Sequence, residues 1–202
     1  MIDLANMQII VAAIVLATLW TLEAPVPFLS NRKGRFRHAA RNITIGAFNS
    51  ILLAILFAPV LFGLTTWTET NNFGFLHLFN LPITVLAIFA ILLQDAWMYA
   101  WHRANHRFPL LWRFHKVHHS DPQMDASTAI RFHTGEILIS AVLRLGMIAL
   151  LGLSLWQVLL YDLLLVPAIL FHHSNIQFPE KFGQILSRTF CFTSNAPHSS
   201  FA

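Results

Sequence analysis

The chain has 202 residues, of which 56% are hydrophobic and 11% charged, with a formal net charge of +4. A soluble domain carries about 25% charged residues, so this chain lacks the polar side chains to coat a water-facing surface, and the composition points to a membrane. One cysteine, Cys191, excludes an internal disulfide framework and a cysteine-rich metal site, and reads as a small apolar filler. Much of the positive charge sits in the block NRKGRFRHAAR, where Arg32, Lys33, Arg35, Arg37 and Arg41 lie between apolar segments. That placement reads as a topology signal and a contact for anionic membrane lipid, not as a nucleic-acid surface.

Residues 4–24 form the first expected span, long enough as a helix to cross about 30 Å of hydrocarbon. Only Asp3 precedes its apolar run, with no basic leader and no small-residue cleavage site, so it reads as an uncleaved span. Pro25 and Pro27 stop it. A second span is expected over 43–66 and a third over 76–98, the latter running through Gln94 and Asp95 into the interfacial aromatics Trp97, Tyr99 and Trp101. Residues 102–136 are polar and dense in histidine, and are expected outside the hydrocarbon.

Residues 137–171 are apolar again, interrupted by Arg144 and Asp162, with Gly152 and Ser154 midway. A helical hairpin is expected, 137–153 with a return helix 155–172, turning near Leu153. Folded there, Arg144 and Asp162 fall at similar depth, and two outcomes stand open: the charges pair, or each snorkels to the near interface. The whole is expected to be one all-α integral membrane domain over 1–202, with about four transmembrane helices and a histidine-rich helical cap from 102–136 and 172–202. The positive-inside rule places 30–41 in the cytoplasm, and counting spans from there brings 102–136 and 172–202 to the same side.

Five of the eleven histidines fall between His102 and His119, where even scatter would give about one. In HRANH, His102 and His106 are four apart and share a helical face. In HKVHH, His115, His118 and His119 stand at i, i+3 and i+4 and are expected to aim at a common point. Neutral imidazole is a good ligand for zinc, iron, copper and nickel.

The run DAWMYAWHRANHRFPLLWRFHKVHHSDPQMDASTAIRFHTGE resembles the fatty acid hydroxylase and sterol desaturase superfamily of membrane di-iron oxygenases. Its first two histidine boxes, H-x-x-x-H and H-x-x-H-H, are intact, flanked by Asp95, Tyr99, Arg103, the W-R-F-H of Trp112 to His115 and the R-F-H of Arg131 to His133. FHHSN at 171–175 matches a further segment, and the resemblance covers about residues 90–180. It implies His102, His106, His115, His118, His119 and His173 as iron ligands, with His172 and His133 as weaker candidates. His133 is alternatively expected to orient a ligand or to meet Glu136. Asp95, two helical turns before His102, and Asp125 are expected to hold imidazole N–H groups. Asp121 could serve likewise, although turn chemistry explains it adequately. His38 and His77 read as non-ligating. A last H-x-x-H-H box is expected where only His198 stands, which leaves two outcomes open: a shortened member with an incomplete and inactive centre, favoured by the abrupt end of the sequence, or a member with an altered mechanism.

The resemblance further implies two non-haem iron ions, O₂ as co-substrate, and hydroxylation or desaturation of a fatty acyl or sterol-like lipid drawn from the bilayer. Electrons are expected from a reductase or small redox protein, since no nucleotide-binding glycine motif is present. A bacterial inner membrane is expected in preference to the endoplasmic reticulum. Two other classes stand beside this one. A metal-binding or metal-transport protein without oxygenase activity would place ionisable ligands near the bilayer midplane, and a b-type cytochrome would face histidines inside its helices.

Overall fold

The computed structural model describes residues 4–29 and 33–177. It is all-helical: α1 (Leu4–Leu22), α2 (Arg35–Leu56), α3 (Ala58–Thr70), α4 (Ile83–Arg107), α5 (Pro109–His119), α6 (Thr134–Leu151) and α7 (Leu155–His173), with 3₁₀ turns at Phe75–Leu78 and Ala126–Ile130. Five of these, α1, α2, α4, α6 and α7, are long and apolar enough to cross a membrane. Few side chains of these five helices are fully buried: α1, α2 and α4 leave many exposed, whereas α6 and α7 are mostly half-buried. What core exists is small and split between two ends of the bundle. Leu76, Ala90, Met147, Ile148, Leu153 and Val158 pack at one end, and Leu19, Ala126, Ala129 and Leu170 at the other.

The observed helices depart from the expected spans in three places. First, α2 begins at Arg35, not at residue 43, so Arg35, Arg37 and Arg41 ride its first two turns. Gly34, at φ 69, supplies the left-handed entry. Second, the apolar stretch expected as one span over 43–66 divides at Phe57 into α2 and α3. Pro59, in the first turn of α3, has no N–H to give the carbonyl four residues back, and its ring crowds that turn. Third, α4 starts at Ile83 after Pro82 and continues unbroken to Arg107. His102 and His106 therefore ride the last turns of the same helix, directly after the aromatics Trp97, Tyr99 and Trp101.

The hairpin turns at Gly152–Ser154, as the residue pattern predicts. Gly152 adopts φ 71 as the C-cap of α6, and Gln157 Oε1 reaches back to accept from Ser154 N at 2.9 Å at the start of α7. A Cβ on Gly152 or on Gly74 would overlap the backbone of the other strand of chain, so both positions require glycine. Across the hairpin, Arg144 Nη2 donates to Asp162 Oδ1 at 2.6 Å, which settles the open alternative in favour of pairing. His77 hydrogen-bonds the Gly152 carbonyl at 3.1 Å, so it belongs to the hairpin-turn end of the bundle.

Every histidine of the two boxes lies at the other end. The C-termini of α4 and α7 and the N-terminus of α6 meet there, closed by the segment 120–133. An antiparallel contact between residues 26–29 and 175–177 ties the end of α1 to the end of α7.

Candidate metal centre

The turn between α4 and α5 brings the two boxes together. Phe108 is extended (φ −95, ψ 120), and Pro109 opens α5 at a position where its missing N–H costs nothing. This folds α5 back along the end of α4. Within each helix the i, i+4 imidazoles touch: His102 Nε2 lies 3.2 Å from His106 Nε2, and His115 Nε2 lies 3.1 Å from His119 Nε2. Across the turn, the ring centroids of His102 and His115 are 5.0 Å apart, and those of His106 and His119 are 4.7 Å apart. One ligand nitrogen from each of these four lies within 4.8 Å of all the others. Trp112 lies over the group, 5.3 Å from the His106 ring and 5.8 Å from that of His119.

His118 does not join them. Positions 118 and 119 diverge by about 100° around a helix, and here it is His119, not His118, that adds its nitrogen to the group of four. The His118 ring stacks on Phe132 at 4.4 Å with an interplanar angle of 3°, and its Nε2 lies 2.8 Å from Nε2 of His173. The six candidate ligands are thus arranged as a group of four beside a pair.

The outer nitrogens decide where the protons are. His118 Nδ1 faces the Arg131 carbonyl at 3.3 Å, and His173 Nδ1 faces the Ile169 carbonyl at 2.8 Å. A carbonyl only accepts, so both Nδ1 atoms carry hydrogen and both Nε2 atoms present lone pairs to each other. Two lone pairs at 2.8 Å repel unless a cation lies between them. A proton is a poor filler: burial, then the imidazoles of His173, His119 and His115, push the His118 pKa down to about 2. Burial, then His115, His106 and His102, likewise push His119 down to about 3. Two imidazole nitrogens about 2.1 Å from one metal ion and at right angles to it would be about 3.0 Å apart, close to the observed spacings. An all-imidazole donor set of this kind fits a first-row transition metal.

His115 is braced differently. Its Nδ1 lies 2.7 Å from Oε1 of Glu136, and both groups are buried. A carboxylate accepting this N–H fixes the tautomer that leaves Nε2 free and makes the imidazole a stronger donor. The residue spacing did not reveal this partner, because Glu136 is 21 positions away on α6. Glu136 meets His115 and not His133.

His133 instead caps α6, accepting from Gly135 N at 2.9 Å with its ring 5.0 Å from that of Phe114. Its nitrogen is spent on a helix terminus that otherwise lacks an acceptor. His172 points about 100° away from His173 around α7, beside Phe171 at 6.4 Å, and is not one of the four-histidine group.

The two expected carboxylate braces also serve elsewhere. Asp95 accepts from Tyr161 Oη at 3.4 Å. Seven residues of helix put it about 10 Å along the axis from His102, too far for a direct hydrogen bond. Asp125 caps the turn Ala126–Ile130 and lies 3.1 Å from His38 Nδ1. Asp121 lies 2.8 Å from His38 Nε2 and accepts from Thr128 Oγ1 at 2.6 Å. Burial pushes the Asp121 carboxyl up, but the hydrogen bonds from Thr128, Gln123 and His38 outweigh it and leave it below the usual range. His38, which read as non-ligating, is the bridge between α2 and the 120–131 segment. His198, Cys191 and the rest of 178–202 lie outside the described residues.

A sequence model of the fatty acid hydroxylase family matches residues 87–200, more than half of the chain. The chain belongs to the fatty acid hydroxylase family. The matched segment begins in α4 and includes every histidine of the group of four and of the pair. Searches of curated proteins and of solved structures returned no match. Family membership points to an oxidoreductase acting on lipid, and the histidine cluster is a site that could bind metal.

Proposed function

We propose that this chain is a membrane lipid hydroxylase or desaturase, holding two non-haem iron ions in the group His102, His106, His115, His119 and at the pair His118, His173. The observation that carries the reading is the facing of two Nε2 lone pairs at 2.8 Å in His118 and His173, directly beside a four-imidazole cluster. Bound there, iron would supply reductive activation of O₂ for attack on an unactivated C–H bond.

The protein's own residues do the rest. Glu136 and the carbonyls of Arg131 and Ile169 hold a proton on the outer nitrogen of His115, His118 and His173, so that each inner nitrogen is committed to metal. His115 and His118 are buried and keep water from one side of the site, whereas His102 and His106 are exposed. The substrate is a fatty acyl or sterol-like lipid entering from the bilayer, and electrons come from a reductase or small redox protein. The arginines of α2 lie on the helix whose His38 contacts the 120–131 segment, which supports a cytoplasmic site and, in a bacterium, the inner membrane.

The test is metal analysis of the purified chain in detergent, followed by turnover with reductant, ¹⁸O₂ and acyl or sterol lipid. Two irons per chain and one ¹⁸O in a hydroxylated product, or a new double bond, are expected. Bound metal with no lipid oxidation would favour a metal-binding protein without oxygenase activity. A Soret band would replace both readings with haem.

A further inference from the structure

Glu23 lies just past the end of α1, outside the segment that matches the family, and its side chain is fully buried. An ionised carboxylate in such a place needs donors. It has them from two distant parts of the chain: its Oε1 accepts from Ala126 N at 2.7 Å and from Asn175 N at 2.9 Å. Arg35 Nη2 stands 3.8 Å from Oε2, and is itself held by the Trp20 carbonyl at 2.6 Å and by the Trp20 ring.

The two donors are informative. Ala126 opens the 3₁₀ turn that delivers Arg131, whose carbonyl holds His118. Asn175 is two residues after His173, and its side chain is clamped by the backbone of Leu29, with Leu29 N donating to Oδ1 at 2.7 Å. One oxygen atom therefore joins the segment that orients His118 to the segment that carries His173. The members of the group of four come from two helices joined by a single tight turn, and their tie to the rest of the bundle is the His115–Glu136 contact with α6.

We propose that Glu23 is a positioning residue for the His118–His173 metal site, setting the separation of these two imidazoles from outside the family segment. The inference rests on the reading of that pair as a metal site. Glu23→Gln keeps an acceptor oxygen at the same reach. Glu23→Ala removes it, and Glu23→Asp keeps the charge but falls one methylene short of both N–H groups.

The experiment is titration of metal-free protein with cobalt(II), following the d–d absorption bands, with circular dichroism and elution volume as checks of folding. The wild type is expected to take two ions per chain. Glu23→Gln should do the same. Glu23→Ala and Glu23→Asp should keep the first ion and bind the second at least tenfold more weakly, with a changed spectrum for that ion alone. A wild type that binds fewer than two ions overturns the two-metal reading itself. A wild type with two ions and a folded Glu23→Ala or Glu23→Asp that matches it overturns only the role of Glu23. If neither of those variants folds while Glu23→Gln does, Glu23 is a folding residue and the positioning role falls.

Discussion

The group of four histidines and the His118–His173 pair lie side by side, yet they are assembled on different length scales. The four come from the last turns of α4 and from α5, two helices separated by one residue, and helical periodicity does most of the work. The pair joins residues 55 positions apart; the outer nitrogen of His118 is held by a carbonyl of the 120–133 segment and that of His173 by the Ile169 carbonyl one turn back on α7. Local geometry makes the first group tolerant of change elsewhere in the bundle. The second depends on the 120–133 segment, on α7 and on the contacts from α1 and α2 that place them. The two metal positions should therefore fail separately, and for different reasons.

The sharpest way to break that distinction is to damage both groups at once. The double substitution His118→Ala/His119→Ala takes one nitrogen from each, and metal content measured by mass spectrometry should fall close to zero. Undiminished metal would remove the ligand assignment altogether. The single substitution His173→Ala should cost one of the two ions and leave the spectrum of the other unchanged. Loss of both would show that the groups are one coupled site.

A smaller effect is expected at Glu136. Replacing it by Ala should weaken metal binding by about 10–100-fold through His115, with Glu136→Gln closer to wild type because its amide oxygen still accepts the N–H. Wild-type affinity in a folded Glu136→Ala protein would mean that His115 needs no brace.

The mildest test is pH. In the folded chain His118 and His119 are held at about 2 and about 3, against an ordinary value of 6.5. The unfolded chain therefore binds more protons below pH 6.5. The stability that these neutral imidazoles provide is intact above pH 6.5 and is lost progressively as pH falls from there towards 3. Thermal melts of the metal-free protein should drop as pH falls from about 6.5 to about 4.5. A midpoint that stays flat or rises as the pH falls over that range would contradict the burial of His118 and His119.

Membrane class, helical architecture, the hairpin turning near Leu153 and the histidine boxes were all legible in the residues. Each depends on a short-range rule: apolar length, glycine at a left-handed turn, or i, i+4 spacing. The grouping of the ligands was not legible in this way. Whether His118 sides with His119 or with His173 depends on how α5 is rotated against α7, and the stacking on Phe132 decides it. The braces were misplaced for the same reason. Asp95 and Asp125 are near the boxes in sequence and serve Tyr161 and His38, whereas Glu136 reaches His115 across 21 residues.

Sequence alone thus determined that this protein crosses a membrane and gathers imidazoles at one end, because period and hydropathy act within a few turns of helix. Tertiary structure decided which imidazoles share a site and which buried groups hold their protons. Those pairings are made between helices, by packing angles that no local pattern encodes.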